Sequence, residues 1–346
     1  MHAFILDPQR KQSAEELIGA VICEEVKANG RRLFHKGHRL TPADLAALPA
    51  IARPIHAVRL DADDVHEDEA GLRLATAVAG QGLFPKGPVQ SRVNLVAERK
   101  GLLRVDARAV TTLNRIEGVA IFTLPDRLTV VPGKIVAGAK IAPVAIPRAT
   151  LAAAEALAGR SPVVQVKPFR QLRVGVVTTE GLAGKVRDRF RETVTKKIGW
   201  YGGEVLGFAD LPNDPDLVAP AITGFIGDDA DLVLTGGGNT IDPLDAALLS
   251  LPRIGGEIVK FGAPAHPGSM FWLAYRGETP IFNLASCSMY SKATVADLIL
   301  PWIMAGERVT LDDLAALGYG GLLDRDMGFR FPPYDVEATE EEDGEE

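Results

Sequence analysis

Two aspartates, Asp242 and Asp245, stand three residues apart with Pro243 between them and the glycines Gly236, Gly237 and Gly238 just upstream. Glycine lets a backbone come close to a ligand and turn its N–H groups inward, an arrangement that holds phosphates and other anions. The two carboxylates add the means to hold a cation or to orient a polar ring. A short apolar run over 232–234 reads as a buried strand stopping at Thr235. A helix starting near Pro243 would bring its positive N-terminal end to the same place. Strand, glycine loop, acids and helix make a candidate binding site for a phosphorylated or anionic ligand. Three glycines after a strand also make an ordinary tight turn, and the spacing alone leaves both readings open.

The elements that must position this loop alternate over 171–305. A strand over 173–178 leads to a helix through Ile198, with Phe190, Val194 and Ile198 at four-residue spacing. A strand over 204–208 and a helix carrying Leu217, Val218, Ile222 and Phe225 follow, then the strand before the glycines. Strands over 257–261 and 280–284 and a helix over 293–304 complete the series. This order predicts an α/β fold with a mostly parallel sheet covered by helices on both faces. Ligands of such sheets bind beyond the carboxyl ends of the strands, which selects the loops after Thr178, Thr235, Gly262 and Leu284.

Upstream lies a smaller mixed α+β region, read as a module over 1–60 and an accessory domain over 61–150. It should contain a hairpin turning near Lys36 and Gly37, a helix capped by Thr41 with Pro42 at its first position, and a helix capped by Asp106. Glu67, Asp68 and Glu69 precede a helical run over 72–78 and complement its dipole. Arg92 and Asn94 read as exposed loop residues. His35 and His38 lie in a strand-like segment and would face opposite sides, against a shared metal.

Composition narrows the classes. The 346 residues are 47% hydrophobic but only 6% aromatic, so the cores must come from Val, Leu, Ile and Ala. Of 45 acids, eight fall in an acidic tail over 335–346 that holds no base; without them the acids nearly balance the 38 bases. The body therefore lacks the basic excess of a nucleic-acid binder, and the tail reads as a disordered solvating segment. Cys23 and Cys287 make neither a disulfide framework nor a zinc motif. No apolar stretch of membrane-span or signal-peptide length is present, which predicts a cytoplasmic protein without a membrane partner.

The segment 171–323 resembles the molybdopterin-binding domain of molybdenum cofactor biosynthesis proteins, a family related to molybdopterin molybdenumtransferase and to cytidylyltransferase-like proteins. The residues that carry the resemblance are Thr235, Gly236 and Gly237, then Pro243, Leu244 and Asp245, in the place of the family's T-G-G and P-x-D. Gly262 to Gly268 resembles its G-x-P-x-x-P-G segment, and Gly318 to Leu323 a tail found in the cytidylyltransferase-like subset.

The resemblance implies a pterin with a phosphate and a dithiolene, held across the carboxyl ends of the sheet. Thr235, Gly236, Gly237, Gly238 and Asn239 would take phosphate or pterin oxygens, and Thr178 would open the first loop with Lys185 and Arg187 supplying charge. His266, Pro267 and Gly268 with Ser286, Cys287 and Ser288 would complete the contacts. Asp245 matches the family acid near the reacting end and would hold a metal; Asp242 stands beside it in what resembles a one-residue insertion. The implied role is binding of molybdopterin, or its nucleotide form, in synthesis, handling or insertion of the molybdenum cofactor. A transferase of this kind would use molybdate and Mg²⁺, serve a molybdoenzyme acceptor, and form a homo-oligomer.

One departure bears on this. Where the family has G-L-P-G, this chain has Asn283, Leu284, Ala285 and Ser286, which favours a non-catalytic molybdenum cofactor carrier or sensor. A third reading is an unrelated nucleotide-binding α/β enzyme sharing the sheet by analogy.

Overall fold

A computed structural model describes residues 1–10, 13–89, 91–179, 181–236, 242–284, 294–323 and 325–334. The acidic tail over 335–346 lies outside them. The chain divides into two compact units, Met1–Lys167 and Pro168–Glu346. No helix among the described residues is long and apolar enough to cross a membrane.

In the first unit, residues 6–57 share one core and residues 65–166 another. The first core is closed by an antiparallel sheet in the order His2–Leu6, Ile55–Arg59, Val21–Ile22. The expected hairpin pairs Val26–Ala28 with Arg31–Phe34, and it turns at Asn29 and Gly30 rather than at Lys36 and Gly37. The strand ends at Phe34, so His35 and His38 are not on opposite faces. Their rings meet edge to face at 5.4 Å, and His38 Nε2 bonds Asp44 Oδ2 at 3.0 Å.

The second core lies under a four-stranded antiparallel sheet in the order Val119–Thr123, Ile135–Ile141, Arg92–Ala97, Leu83–Val89. The helix Glu67–Val78 packs on it through Ala70, Leu74, Ala75 and Val78. The helix starts five residues earlier than the apolar run suggests, because His66 caps it and the three acids form its first turn. Arg92 and Asn94 belong to a strand, not to a loop.

The second unit is built on six strands: β1 (Arg173–Thr178), β2 (Glu204–Asp210), β3 (Leu232–Gly236), β4 (Glu257–Phe261), β5 (Trp272–Arg276) and β6 (Thr279–Leu284). They lie in the order β2-β1-β3-β6-β5-β4. Strands β1, β2, β3 and β6 are parallel; β5 is antiparallel to both β6 and β4, so β4 again runs with the parallel set. The helices are α1 (Gly184–Trp200), α2 (Pro215–Gly227), α3 (Ala246–Arg253), α4 (Val295–Met304) and α5 (Leu311–Ala316).

Both faces of this sheet are apolar, as a covered parallel sheet requires. Val177, Val233 and Ile281 pack with Val218 and Ile222 of α2 and Ala246, Ala247 and Leu251 of α3. Phe190, Val194 and Ile198 are the buried stripe of α1, and burial of each such side chain contributes about 1.5–3 kcal/mol. Strand β5 escaped the sequence reading. Its five residues are short for a periodic pattern, and it follows the long loop from Gly262.

Gly175, in the middle of β1, lies under the Phe225 ring of α2, and a β-carbon there would stand 2.7 Å from Phe225 Cβ. Gly175→Ala should therefore destabilise this unit by about 1–3 kcal/mol through overpacking. Denaturant unfolding of G175A, F225A and G175A/F225A measures it. Gly175→Ala should cost much less in the F225A background, where Cγ and the ring are gone, than in the natural chain, and an equal cost in both would contradict the packing account.

Candidate functional site

The register of the sheet sets up the site. Thr178 pairs with Asp210 on one side and Gly236 on the other, and Gly236 pairs with Leu284. Asp210, Thr178, Gly236 and Leu284 thus form one row across the carboxyl ends of four strands, roughly 14 Å wide at the usual strand spacing. The loops after β1, β2, β3, β4 and β6 all leave from this edge, the four selected in the sequence among them. The loop after β2 joins them.

Gly236 ends β3 against the Phe190 ring, where a β-carbon would stand 2.5 Å from Cζ. Close approach to α1, not a left-handed backbone, is its structural reason. Thr235 is buried beside it. Gly237, Gly238 and Asn239 lie outside the described residues, as do Ser286, Cys287 and Ser288.

The chain re-enters at Asp242, whose Oδ1 accepts from Leu244 N at 2.9 Å, while Asp245 N donates to Asp242 O at 3.0 Å. This turn places Asp245 as the N-cap of α3, its Oδ1 accepting from Ala247 N at 2.9 Å. The helix begins at Ala246, three residues later than Pro243 suggests, because Asp245 outcompetes the proline as a start signal. Asn213, from the loop after β2, accepts from Ala246 N at 2.8 Å and so covers another of the free amides of α3.

Asp245 is only 3% exposed, and its Oδ2 has no hydrogen-bond partner among the described residues. Burial raises its pKa above the ordinary aspartate value; the backbone amides of Ala247 and Leu248 partly offset this, and the charge of Asp242 adds to it. A buried carboxylate oxygen left unsatisfied costs about 1–3 kcal/mol, so this atom is where a ligand donor, a cation or a proton is called for. Among the described residues no group of three His, Cys, Asp or Glu side chains could hold a metal ion.

At the other end of the row, Thr178 Oγ1 donates to Asp210 Oδ1 at 2.7 Å and Arg191 Nη2 donates to Asp210 Oδ2. The Arg191 guanidinium also lies 5.1 Å over the Phe208 ring. Thr178 is almost fully buried, so its side chain anchors β1 to β2 and the half-exposed Arg191 and Asp210 present the polar surface. Lys185 is exposed in the first turn of α1, and Arg187 is half-buried 3.5 Å from Asp188.

The segment after β4 returns through a cis bond at His266–Pro267. His266 N donates to Gly321 O and Leu323 N to His266 O, both at 2.8 Å, so the two sequence segments singled out at 262–268 and 318–323 pair with each other. The His266 side chain is exposed. Gly268, at φ +109°, packs on the start of α4, where a β-carbon would stand 2.8 Å from Val295 N; a larger residue fails on both counts.

Asn283 corrects an expectation. It is not part of a reshaped loop but a buried residue of β6, whose Oδ1 accepts from Trp272 N at 2.6 Å and whose Nδ2 donates to Met270 O at 3.2 Å. The amide closes the entry to β5, a structural role that glycine could not fill.

Sequence reasoning missed Asp210, Arg191 and Asn213. Their roles depend on the parallel register and on the turn after β2, and no local motif announces either.

A search of curated proteins found no match. Among solved structures, the chain is similar to the molybdopterin biosynthesis enzyme MoaB from Thermus thermophilus, at 18% identity over 42% of this chain and 97% of that one, with a TM-score of 0.30. It is also similar to the tungsten cofactor synthesizing protein MoaB from Pyrococcus furiosus, at 20% identity over 34% and 82% with a TM-score of 0.26. For the molybdopterin biosynthesis MoeA protein from Pyrococcus horikoshii the values are 12%, 88%, 75% and 0.32. Residues 173–305, from the first residue of β1 to the residue after α4, match the model of the family described as a probable molybdopterin binding domain.

Proposed function

We propose that the second unit binds molybdopterin or its nucleotide form at the carboxyl edge of its sheet, and that the chain serves molybdenum cofactor biosynthesis. The family match over 173–305 supports the ligand class. The observation that carries the site is the buried, unpartnered Oδ2 of Asp245 at the start of α3 and beside the glycine segment. In this reading Asp245 takes a ring N–H or amino group of the pterin, or a cation bound with it. Amides of the glycine loop take the phosphate, and Arg191 adds positive charge at the far end of the row.

Anaerobic titration with molybdopterin, against a plain nucleotide as control, tests the proposal. Saturable, pterin-selective binding is expected, and preference for the plain nucleotide would favour a nucleotide enzyme of another kind. The same titration run with molybdate and Mg²⁺ separates transfer from carriage: product formation identifies a transferase, and binding without product a carrier or sensor.

A further inference from the structure

We propose that the outer face of the four-stranded sheet in the first unit binds a second small ligand, a planar heterocycle joined to a phosphate, of which a nucleoside monophosphate is the simplest form. Strand register defines this face. Phe122 pairs with Gly138, Gly138 with Asn94, and Asn94 with Lys86, one residue from each strand in a single row. Two residues along the same strand as Asn94, and on the same face, is Arg92. The alternate residues Val93, Leu95, Ile121 and Ala139 point the other way, into the core.

Phe122 supplies the stacking platform. Its ring lies flat across Gly138, where a β-carbon would stand 2.7 Å from Phe122 Cζ, and it remains 43% exposed. The absence of a side chain at Gly138 is what lets the ring lie down. One residue across is the half-buried amide of Asn94, which offers both a donor and an acceptor to a ring edge. Beyond it lie the exposed cations Lys86 and Arg92, and no described carboxylate forms an ion pair with either. Lys140, the cross-strand neighbour of Arg92, instead acts on the buried Glu67, whose carboxyl it helps to keep charged against the effect of burial.

Solvated lysine and arginine on a sheet are ordinary. A half-exposed phenyl ring held flat by a glycine, with an amide and then two cations free of described carboxylates in line, is more specific. A heterocycle on Phe122 would meet the Asn94 amide with a ring edge and carry its phosphate beyond it, toward Lys86 and Arg92. Stacking accepts any base, and two cations suit one phosphate rather than the many of a nucleic-acid strand.

The test is calorimetric titration of the full chain with adenosine and guanosine 5′-monophosphates, with adenosine, inorganic phosphate and a single-stranded oligonucleotide as comparisons. Saturable binding of a monophosphate is expected, stronger than that of adenosine or phosphate alone. R92Q and K86Q should each weaken it about tenfold or more. G138A, which lifts the ring, should weaken it as much as F122L does, and circular dichroism of each variant verifies the fold. D245N, in the other unit, should leave it unchanged, so this site and the pterin site stand or fall separately. Absence of monophosphate binding, binding indifferent to the four variants, or tighter binding of the oligonucleotide would each overturn the proposal.

Discussion

Asp245→Asn should bind molybdopterin at least about tenfold more weakly than the natural chain, a loss of about 1.4 kcal/mol or more, while being the more stable protein at neutral pH. The two effects share one cause. Asn is as good an N-cap as Asp, so the bond to Ala247 N and the start of α3 survive. What changes is the second oxygen, which is buried without a partner among the described residues and becomes an amide nitrogen without charge. A ligand donor or cation that needs an anionic acceptor loses it, and the folded apo-protein loses a desolvated carboxylate.

The pH dependence follows in sign. Burial raises the folded pKa of Asp245 above its unfolded value. Between those two values the folded state holds a proton that the unfolded state has released, so stability falls as pH rises through the window. The contribution of Asp245 is most favourable below the ordinary aspartate range, about pH 4, and is lost once pH exceeds the raised value. The stability gain of D245N over the natural protein should therefore be small in acid and grow toward neutrality. Denaturant unfolding at several pH values measures it; a constant difference would show that Asp245 is not the titrating group. Binding that D245N leaves unchanged would remove Asp245 from the site.

How much of this was legible in the sequence depends on the range of the interactions. β1 runs over the residues that Val174, Val176 and Val177 indicate, and the stripe of Phe190, Val194 and Ile198 faces the core, because both follow from the apolar pattern within one element. The carboxyl-edge loops were legible for the same reason, since alternating strands and helices fix strand direction. The chemistry of the edge was less so. Asp245 reads as a free acid in the sequence, yet its first oxygen is committed to α3 and only the second remains for a ligand. Thr178 reads as a ligand contact but turns its hydroxyl to Asp210, a partner 32 residues away that the parallel register supplies. Asn283 reads as a loop change, whereas its amide is the bolt between β6 and the entry to β5.

Asp297→Ala should cost about 3–5 kcal/mol of stability, toward the lower end because Lys197 keeps some contact with water. Asp297 is 1% exposed and lies in the first turn of α4. Its Oδ2 accepts from Thr294 N at 3.1 Å and from Thr294 Oγ1 at 3.2 Å, forming the capping box of that helix. Its Oδ1 accepts from Lys197 Nζ of α1 at 2.6 Å and from Tyr334 Oη at 3.1 Å. One carboxylate thus joins α1, α4 and the C-terminal segment that carries Tyr334. Removing it strands a lysine against the Tyr334 ring and the apolar residues of two helices, and it uncaps the helix that receives the chain from the carboxyl edge. Lys197→Met should cost less, because it removes the ammonium and leaves Asp297 three other donors. Tyr334→Phe should cost least, about 1–3 kcal/mol for the two hydrogen bonds of its hydroxyl, to Asp297 and to Tyr201. Unfolding of the three variants should give that order. If K197M proved as damaging as D297A, the ion pair itself, rather than the cap and the four donors converging on Asp297, would hold this corner of the fold.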